Sequence, residues 1–228
     1  MTPDTSIPAA VTLQYLKRPY GELAWLINTH AANQPERIAL DDGEEQLTWA
    51  ETAAFVNRIA AQLQAEGLQK GQAVSILGTT TIRYALVYLG AIVAGGCAAP
   101  LTTSATPQQL AAMMTDSGAG HLFIDHIKQS DLADSGVALP ALKHVMMDAP
   151  DESDGAPLLF DWMADEGATP LDVETGPNDP YNIIYSSGTT GTPNVHWRPS
   201  HHINCSVGTE ERSNKQLQHE SKIGAWAT

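Results

Sequence analysis

The residues of this chain whose types and spacing best suit chemistry lie in the segment "IIYSSGTTGTP". Gly188 and Gly191 permit backbone angles that are closed to other residues, so neighbouring N–H groups can converge on an anion. The hydroxyl side chains around them are donors suited to phosphate oxygens, and one of them can also reach a metal ion. We predict a phosphate-binding loop, whose candidate residues are Ser186, Ser187, Gly188, Thr189, Thr190, Gly191, Thr192 and Pro193.

Two other interpretations of this loop are weaker. It is not a Walker A loop, because no G-x-x-x-x-G-K-[ST] pattern is present, and this disfavours a P-loop phosphohydrolase. A turn with a purely structural role would suit a generic loop of this composition. The density of hydroxyl groups directly after the apolar residues Ile183 and Ile184 favours phosphate binding instead.

We assign no catalytic residue and no metal site within the chain. The last part of the sequence holds four possible zinc ligands, namely His196, His201, His202 and Cys205. Their order does not match a standard zinc-ligand spacing, so we do not predict a zinc site there.

The elements that must position the loop alternate in type along the chain. Apolar residues at helical spacing predict helices over 21–35, 49–67, 82–94 and 107–118. Short apolar runs predict the strands "RIAL", "QLT", "AVSIL", "CAAPL", "HLFID" and "KHVMM". Capping boxes are expected at Thr48 with Glu51 and at Thr106 with Gln109. Strands that alternate with capped helices predict an α/β fold of βαβ units with a mainly parallel sheet.

The charge and composition of the chain disfavour several classes of function. The 228 residues carry a formal net charge of −14, so no basic stripe is available for nucleic acid or for an anionic membrane surface. Cys97 and Cys205 form no CxxC pair, and the N-terminus lacks the basic region of a secretory signal, so we expect a cytoplasmic protein with reduced thiols. The uncharged stretch 84–101 is interrupted by glycines and a proline, and predicts a buried helix and strand without a transmembrane segment.

Several ordered segments resemble the adenylate-forming superfamily, which includes acyl- and aryl-CoA ligases, luciferases and peptide-synthetase adenylation domains. "LTWAET" is similar to its L-T-Y-x-E element, and "YLGAIVAGGCAAPL" to its LGAxxAGAxxxPL element. "LAAMMTDSGAGHLFID" is similar to the helix and strand that follow, and the hydroxyl-rich loop to its phosphate loop. The resemblance extends from about residue 20 to Pro193.

The resemblance implies an enzyme that joins a carboxylate to the α-phosphate of ATP, releases pyrophosphate, and passes the acyl group to a thiol such as CoA. ATP and Mg²⁺ are the implied cofactors, and a small carboxylic acid and CoA the implied partners. The loop would then hold the β- and γ-phosphates while charge moves onto the leaving pyrophosphate.

The sequence departs from the family pattern directly after Pro193. The family has a basic residue, normally Lys, where this chain has Asn194, which cannot neutralise phosphate charge. From there on the sequence has no clear apolar periodicity and is net positive, on a chain that is otherwise acidic. We therefore expect a partial ligase domain over 1–193, truncated or frameshifted, and a disordered tail of unrelated sequence over 194–228.

The sequence thus predicts the N-terminal part of the large domain of an AMP-forming acid–CoA ligase, with an incomplete sheet. We expect this chain to be inactive by itself and to self-associate. The alternative is a non-catalytic nucleotide-binding or interaction module that kept the loop.

Overall fold

The computed structural model describes residue 11 and residues 22–148, 155–186 and 194–199, with Ser186 and 194–199 described by their backbone alone. The helices within these ranges are α1 (Leu23–Asn33), α2 (Trp49–Ala65), α3 (Ile82–Val93), α4 (Pro107–Ser117), α5 (His126–Ser135) and α6 (Leu159–Trp162). The strands are β1 (Ile38–Asp41), β2 (Gln46–Thr48), β3 (Ala73–Leu77), β4 (Cys97–Pro100), β5 (His121–Ile124), β6 (Lys143–Met146), β7 (Pro180–Ser186) and β8 (Asn194–Pro199).

The two predicted capping boxes fix where α2 and α4 begin. The Thr48 hydroxyl accepts from the Glu51 N–H at 3.2 Å, and the Glu51 carboxylate accepts from the Thr48 N–H at 2.9 Å. Thr106 and Gln109 make the equivalent pair at the start of α4, at 3.3 and 2.9 Å. Each box satisfies backbone donors that a helix start leaves unpaired, so both helices begin where the sequence predicted.

The main sheet has the strand order β6-β5-β3-β4-β7-β8, and β1 and β2 form a separate antiparallel hairpin. The pairs β6–β5, β5–β3, β3–β4 and β4–β7 are parallel, whereas β7–β8 is antiparallel. The predicted α/β fold with a mainly parallel sheet is therefore confirmed.

Helices cover both faces of this sheet. Alternate residues of β3, such as Val74 and Ile76, pack in a core with α1, α2, α3 and α6. On the opposite face Leu77 packs with residues of α4 and α5, including Leu110 and Leu132. Strands buried on both faces have continuous apolar sequences, which explains why "AVSIL" and "HLFI" show no alternation.

The uncharged stretch at 84–101 forms most of α3 and then β4, as predicted. Among the described residues, no helix has the length and apolar character needed to cross a membrane.

The domain boundary placed at residue 193 stays a prediction. Residues 194–199, the start of the sequence expected to be a disordered tail, form β8 and pair with β7. Residues 200–228, including the possible zinc ligands His201, His202 and Cys205, lie outside the described residues.

Candidate phosphate-binding site

The predicted loop can be located by its two ends. Ser187, Gly188, Thr189, Thr190, Gly191, Thr192 and Pro193 lie outside the described residues, and Ser186 is the last residue of β7. The register of β7 and β8 pairs Ser186 with Asn194. The segment 187–193 therefore connects two paired, antiparallel strand ends.

This connection leaves the sheet at the carboxyl edge of its parallel strands. β3, β4 and β7 are neighbours in the sheet, and parallel pairing puts their carboxyl ends on the same edge. Residues 79–81 and 102–104, all Thr or Ser, follow β3 and β4 there. Ligands of open α/β sheets bind outside the carboxyl ends of the strands, so the predicted loop starts at the edge where such a ligand is expected.

The carboxyl ends of β3 and β5, at the same edge, are held together by the protein itself. The chain leaves β3 towards β4 and leaves β5 towards β6, in opposite directions across the sheet. Asp125 bridges the two strand ends: its Oδ2 accepts from the Thr79 N–H at 2.8 Å, and its Oδ1 accepts from the Lys128 N–H at 2.9 Å. A Cβ at Gly78 would lie 2.8 Å from Asp125 Oδ2, so glycine allows this close approach. Asp125 therefore has a structural role.

Tyr185, the residue before Ser186, makes a contact that the sequence did not predict. Its hydroxyl donates towards the Met113 carbonyl at 2.9 Å and the Asp116 carboxylate at 3.2 Å, both on α4. Burial raises the pKa of Tyr185, and the nearby Asp116 carboxylate raises it further. The hydroxyl therefore keeps its proton at neutral pH and can donate.

His126 and Asp148 join the segments that follow β5 and β6. The His126 N–H donates to Asp148 Oδ1 at 2.8 Å, and its ring Nδ1 contacts Asp148 Oδ2. The hydrogen bond between the ring and Asp148, together with the charge of that carboxylate, raises the pKa of His126. Among the described residues, no group of three or more His, Cys, Asp and Glu side chains is arranged to hold a metal ion.

A second polar cluster lies at the opposite, amino-terminal edge of the sheet. Glu66 Oε2 is 2.7 Å from His121 Nε2 and 3.2 Å from Lys143 Nζ, and Glu66 Oε1 accepts from Trp162 Nε1 at 3.0 Å. Burial alone would raise the pKa of Glu66, but the hydrogen bonds from His121, Lys143, Gln62 and Trp162 lower it. These contacts join the end of α2 to β5, β6 and α6, away from the predicted loop.

The parallel sheet with helices on both faces defines a doubly wound α/β protein. The chain belongs to the AMP-binding enzyme family, whose model matches residues 27–194. The family is ATP-dependent and adenylate-forming, so the resemblance noted in the sequence is confirmed.

Relatives and solved structures agree with this assignment. The chain is 29% identical over 168 residues to gramicidin S synthase 2 of Brevibacillus brevis, covering 74% of this chain and 3% of that protein. It is 27% identical over 187 residues to the long-chain-fatty-acid–CoA ligase FadD13 of Mycobacterium tuberculosis, covering 79% of this chain and 36% of that protein. A structure described as a putative long-chain-fatty-acid CoA ligase from Rhodopseudomonas palustris has the same fold, with a TM-score of 0.71 at 18% identity over 91% of this chain and 49% of that one.

Proposed function

We propose that this chain binds the β- and γ-phosphates of ATP through Ser186–Pro193, as a portion of an AMP-forming acid–CoA ligase. The observation that supports this most is the pairing of Ser186 with Asn194, because it holds both ends of the hydroxyl-rich segment at the carboxyl edge of the sheet. Membership of the AMP-binding family over residues 27–194 supports a nucleotide as the ligand. The chain spans only 36% of FadD13, so the acid and the acceptor thiol are part of this proposal.

The chemistry of the loop fits the proposed ligand. Backbone N–H groups near Gly188 and Gly191 and the hydroxyls of Thr189 and Thr190 are hydrogen-bond donors, which phosphate oxygens accept. A hydroxyl oxygen can also join phosphate oxygens and water around Mg²⁺, which prefers oxygen ligands. Bound Mg²⁺ would offset phosphate charge that this loop, which carries no basic side chain, leaves uncompensated. A protein that uses ATP and CoA as substrates is expected to be cytoplasmic.

We further propose that this chain does not form an acyl-adenylate efficiently by itself. Asn194 stands where the family pattern has a basic residue, and an amide cannot stabilise the negative charge that moves onto pyrophosphate. The same residue favours a second candidate function, that of a nucleotide-binding module without catalysis. Carboxylate-dependent exchange of pyrophosphate with ATP tests the expected lack of adenylation. Exchange above the blank that Thr189→Val abolishes would contradict both this proposal and the non-catalytic candidate.

Binding itself is tested by calorimetric titration of MgATP into the purified chain. Thr189→Val removes one hydroxyl donor, and we expect it to weaken binding by about fivefold, the equivalent of one ordinary hydrogen bond. The matched control is Thr115→Val, since Thr115 is exposed on α4 and its hydroxyl donates to the Ala111 carbonyl at 2.8 Å. A wild-type chain that binds no MgATP, or equal weakening by both variants, would contradict the proposed site.

A further inference from the structure

A long segment without helix or strand joins α6 to β7. α6 ends at Trp162 and β7 begins at Pro180, and none of the residues 164–179, which we call the strap, is buried. Connections of this length inside a compact domain are uncommon, and many of them are lids or binding loops. The strap carries carboxylates but no basic residue, on a protein with a net charge of −14. Because this charge opposes docking, specific contacts must hold the strap in place.

One side chain of α2 anchors the middle of the strap. The Gln64 Oε1 atom accepts from the Leu171 N–H at 2.7 Å, and Gln64 Nε2 donates to the Leu171 carbonyl at 3.1 Å. Gln64 Nε2 also lies 3.3 Å from the Ala94 carbonyl, at the end of α3. Beside this anchor, a Cβ at Gly95 would lie 2.7 Å from Val173 Cγ1, so glycine lets the Val173 side chain approach the backbone.

The two ends of the strap are attached separately. Arg58 Nε donates to the Ala164 carbonyl at 2.6 Å, and Lys70 Nζ lies 2.8 Å from Asp179 Oδ2. Within the described residues, Gln64 makes the hydrogen bonds that join the stretch 169–175 to the rest of the protein. A stretch with exposed hydrogen bonds and no buried residue belongs to the least stable part of a fold. The middle of the strap can therefore leave the surface while its ends stay attached.

The middle of the strap lies over a cavity of about 210 Å³. Residues of 169–175 line one side of this cavity, and Leu23 of α1, Asn57 of α2 and Ile92 of α3 line the other. We infer that the strap is a lid over this cavity, which opens by release of Leu171 from Gln64 while the sheet stays folded. The lid is built from described residues only and does not depend on the proposed function.

Glutamate-specific proteolysis of the native protein tests the role of Gln64. Glu174 lies in the strap, and a protease can cut there only when the stretch has left the surface. We expect Gln64→Ala to increase the cleavage rate at Glu174 about tenfold, because this rate follows the population of the open form. Gln62→Ala is the matched control on the same helix, since the Gln62 amide donates to Glu66 at 3.2 Å, and it should stay within about twofold of wild type.

Cleavage at Glu44, in the exposed turn of the β1–β2 hairpin, is the internal reference and should be the same in all three proteins. An unchanged rate at Glu174 in Gln64→Ala would overturn the inference. Equal acceleration by both variants, or equal acceleration at Glu44, would also overturn it, because the effect would then not be specific to the strap.

Hydrogen exchange of the wild-type protein in low concentrations of urea tests the lid without any substitution. Local opening exposes little surface, so the exchange rate of the Leu171 amide should be nearly independent of urea. The Ile76 amide, in the buried strand β3, should exchange through global unfolding, at a rate that rises steeply with urea. Equal urea dependence of the two amides would show that the strap opens only with the whole fold. A Leu171 amide without protection would show that the lid does not close, and either result would overturn the inference.

Discussion

The carboxylate of Asp125 joins two segments at the carboxyl edge of the sheet. Asp125 is 7% exposed, and its carboxylate accepts from Thr79 and from the Lys128 N–H at the start of α5. Removing the carboxylate leaves the Thr79 N–H without this partner and takes the cap from α5. Both losses fall on the folded state, because in the unfolded chain these groups bond to water.

We expect Asp125→Ala to lower the free energy of unfolding by about 1–3 kcal/mol, the sum of a lost helix cap and a lost hydrogen bond to the Thr79 N–H. Urea unfolding followed by circular dichroism measures this change. Asp131→Ala is the control, because Asp131 contacts Lys128 through the ammonium group at 2.8 Å on the exposed side of α5. The control should change stability by less than about 0.5 kcal/mol. Equal effects would show that the buried bonds of Asp125 contribute little.

His126 and His144 should titrate on opposite sides of the ordinary histidine value. Hydrogen bonding and the charge of Asp148 raise the pKa of His126 above 6.5, whereas burial lowers the pKa of His144 below it. NMR titration of the ring protons measures both, and Asp148→Asn should lower the pKa of His126 while leaving that of His144 unchanged. An unshifted His126 in the wild-type protein would contradict the contact.

The stability effect of this pair has a defined sign. A folded pKa above the unfolded value means that the folded state binds the proton more tightly, so the stabilisation is full below about pH 6.5 and is lost as the pH rises through the raised pKa. Asp148→Asn should therefore destabilise the protein more at pH 5.5 than at pH 8.5. The opposite order would show that the pair does not stabilise the charged imidazole.

Helix α3 packs unusually close to helix α2, at Gly90. A Cβ at this position would lie 2.5 Å from Ile59 Cγ2 and 2.9 Å from Ile59 Cβ. Both residues are inside the core, so the added methyl group has no open space to enter. The glycine, which is unfavourable for a helix, thus allows the two helices to approach.

Gly90→Ala should lower the free energy of unfolding by about 1–3 kcal/mol, as overpacked cores do, even though alanine favours the helix. A double-mutant cycle with Ile59→Ala tests the reason, because removing the branched side chain opens space for the methyl group. In the Ile59→Ala background the cost of Gly90→Ala should disappear. A cost that persists there would indicate that Ile59 is not the obstacle.

At the scale of elements, local signals were sufficient for most of the fold. The capping boxes, the apolar strand runs and the glycines that follow helices are properties of neighbouring residues, and they predicted β1 to β6 and most helices. Helix α5 was not predicted, because its buried face consists of Leu132 and its cap, Asp125, was assigned to the preceding strand. β8 was not predicted either, because its sequence "NVHWRP" lacks an apolar pattern. It is a strand by virtue of its pairing with β7.

The candidate site could be predicted only in part, because several contacts around it join residues that are far apart in the sequence. The composition of the loop indicated phosphate binding, and the resemblance indicated which phosphates. The contacts that hold its surroundings join Tyr185 to Asp116 and Thr79 to Asp125, over separations of 69 and 46 residues. No local pattern specifies such pairs, because they follow from strand order, which brings distant segments together.

At the scale of the whole molecule, the sheet edge at β8 favours association. β8 is the last strand of the sheet in the described residues, and Ile184 on the neighbouring strand is 37% exposed. Edge strands pair readily with other chains, while a net charge of −14 opposes such contacts at low ionic strength.

We therefore expect oligomers that grow with protein concentration and with salt, because salt screens the repulsion between like-charged chains. Light scattering at about 20 and 500 mM NaCl measures this, with dye binding to report exposed apolar surface. Ile184→Lys should reduce association, whereas Leu171→Lys, at a position 76% exposed in the segment between α6 and β7, should not. A monodisperse monomer at both salt concentrations would contradict the expectation.

The strand order β6-β5-β3-β4-β7-β8 also has a consequence for how the protein is made. β3 comes first in the chain among these strands and lies inside the sheet. β4 then adds to one side of β3, and β5 and β6 to the other. β7 adds beside β4, and β8 beside β7. Each newly synthesised strand therefore finds an existing edge, and no strand has to enter between two that are already paired. A chain emerging from the ribosome can build this sheet outwards in the order of translation, with the predicted phosphate loop added late, when most of the sheet already exists.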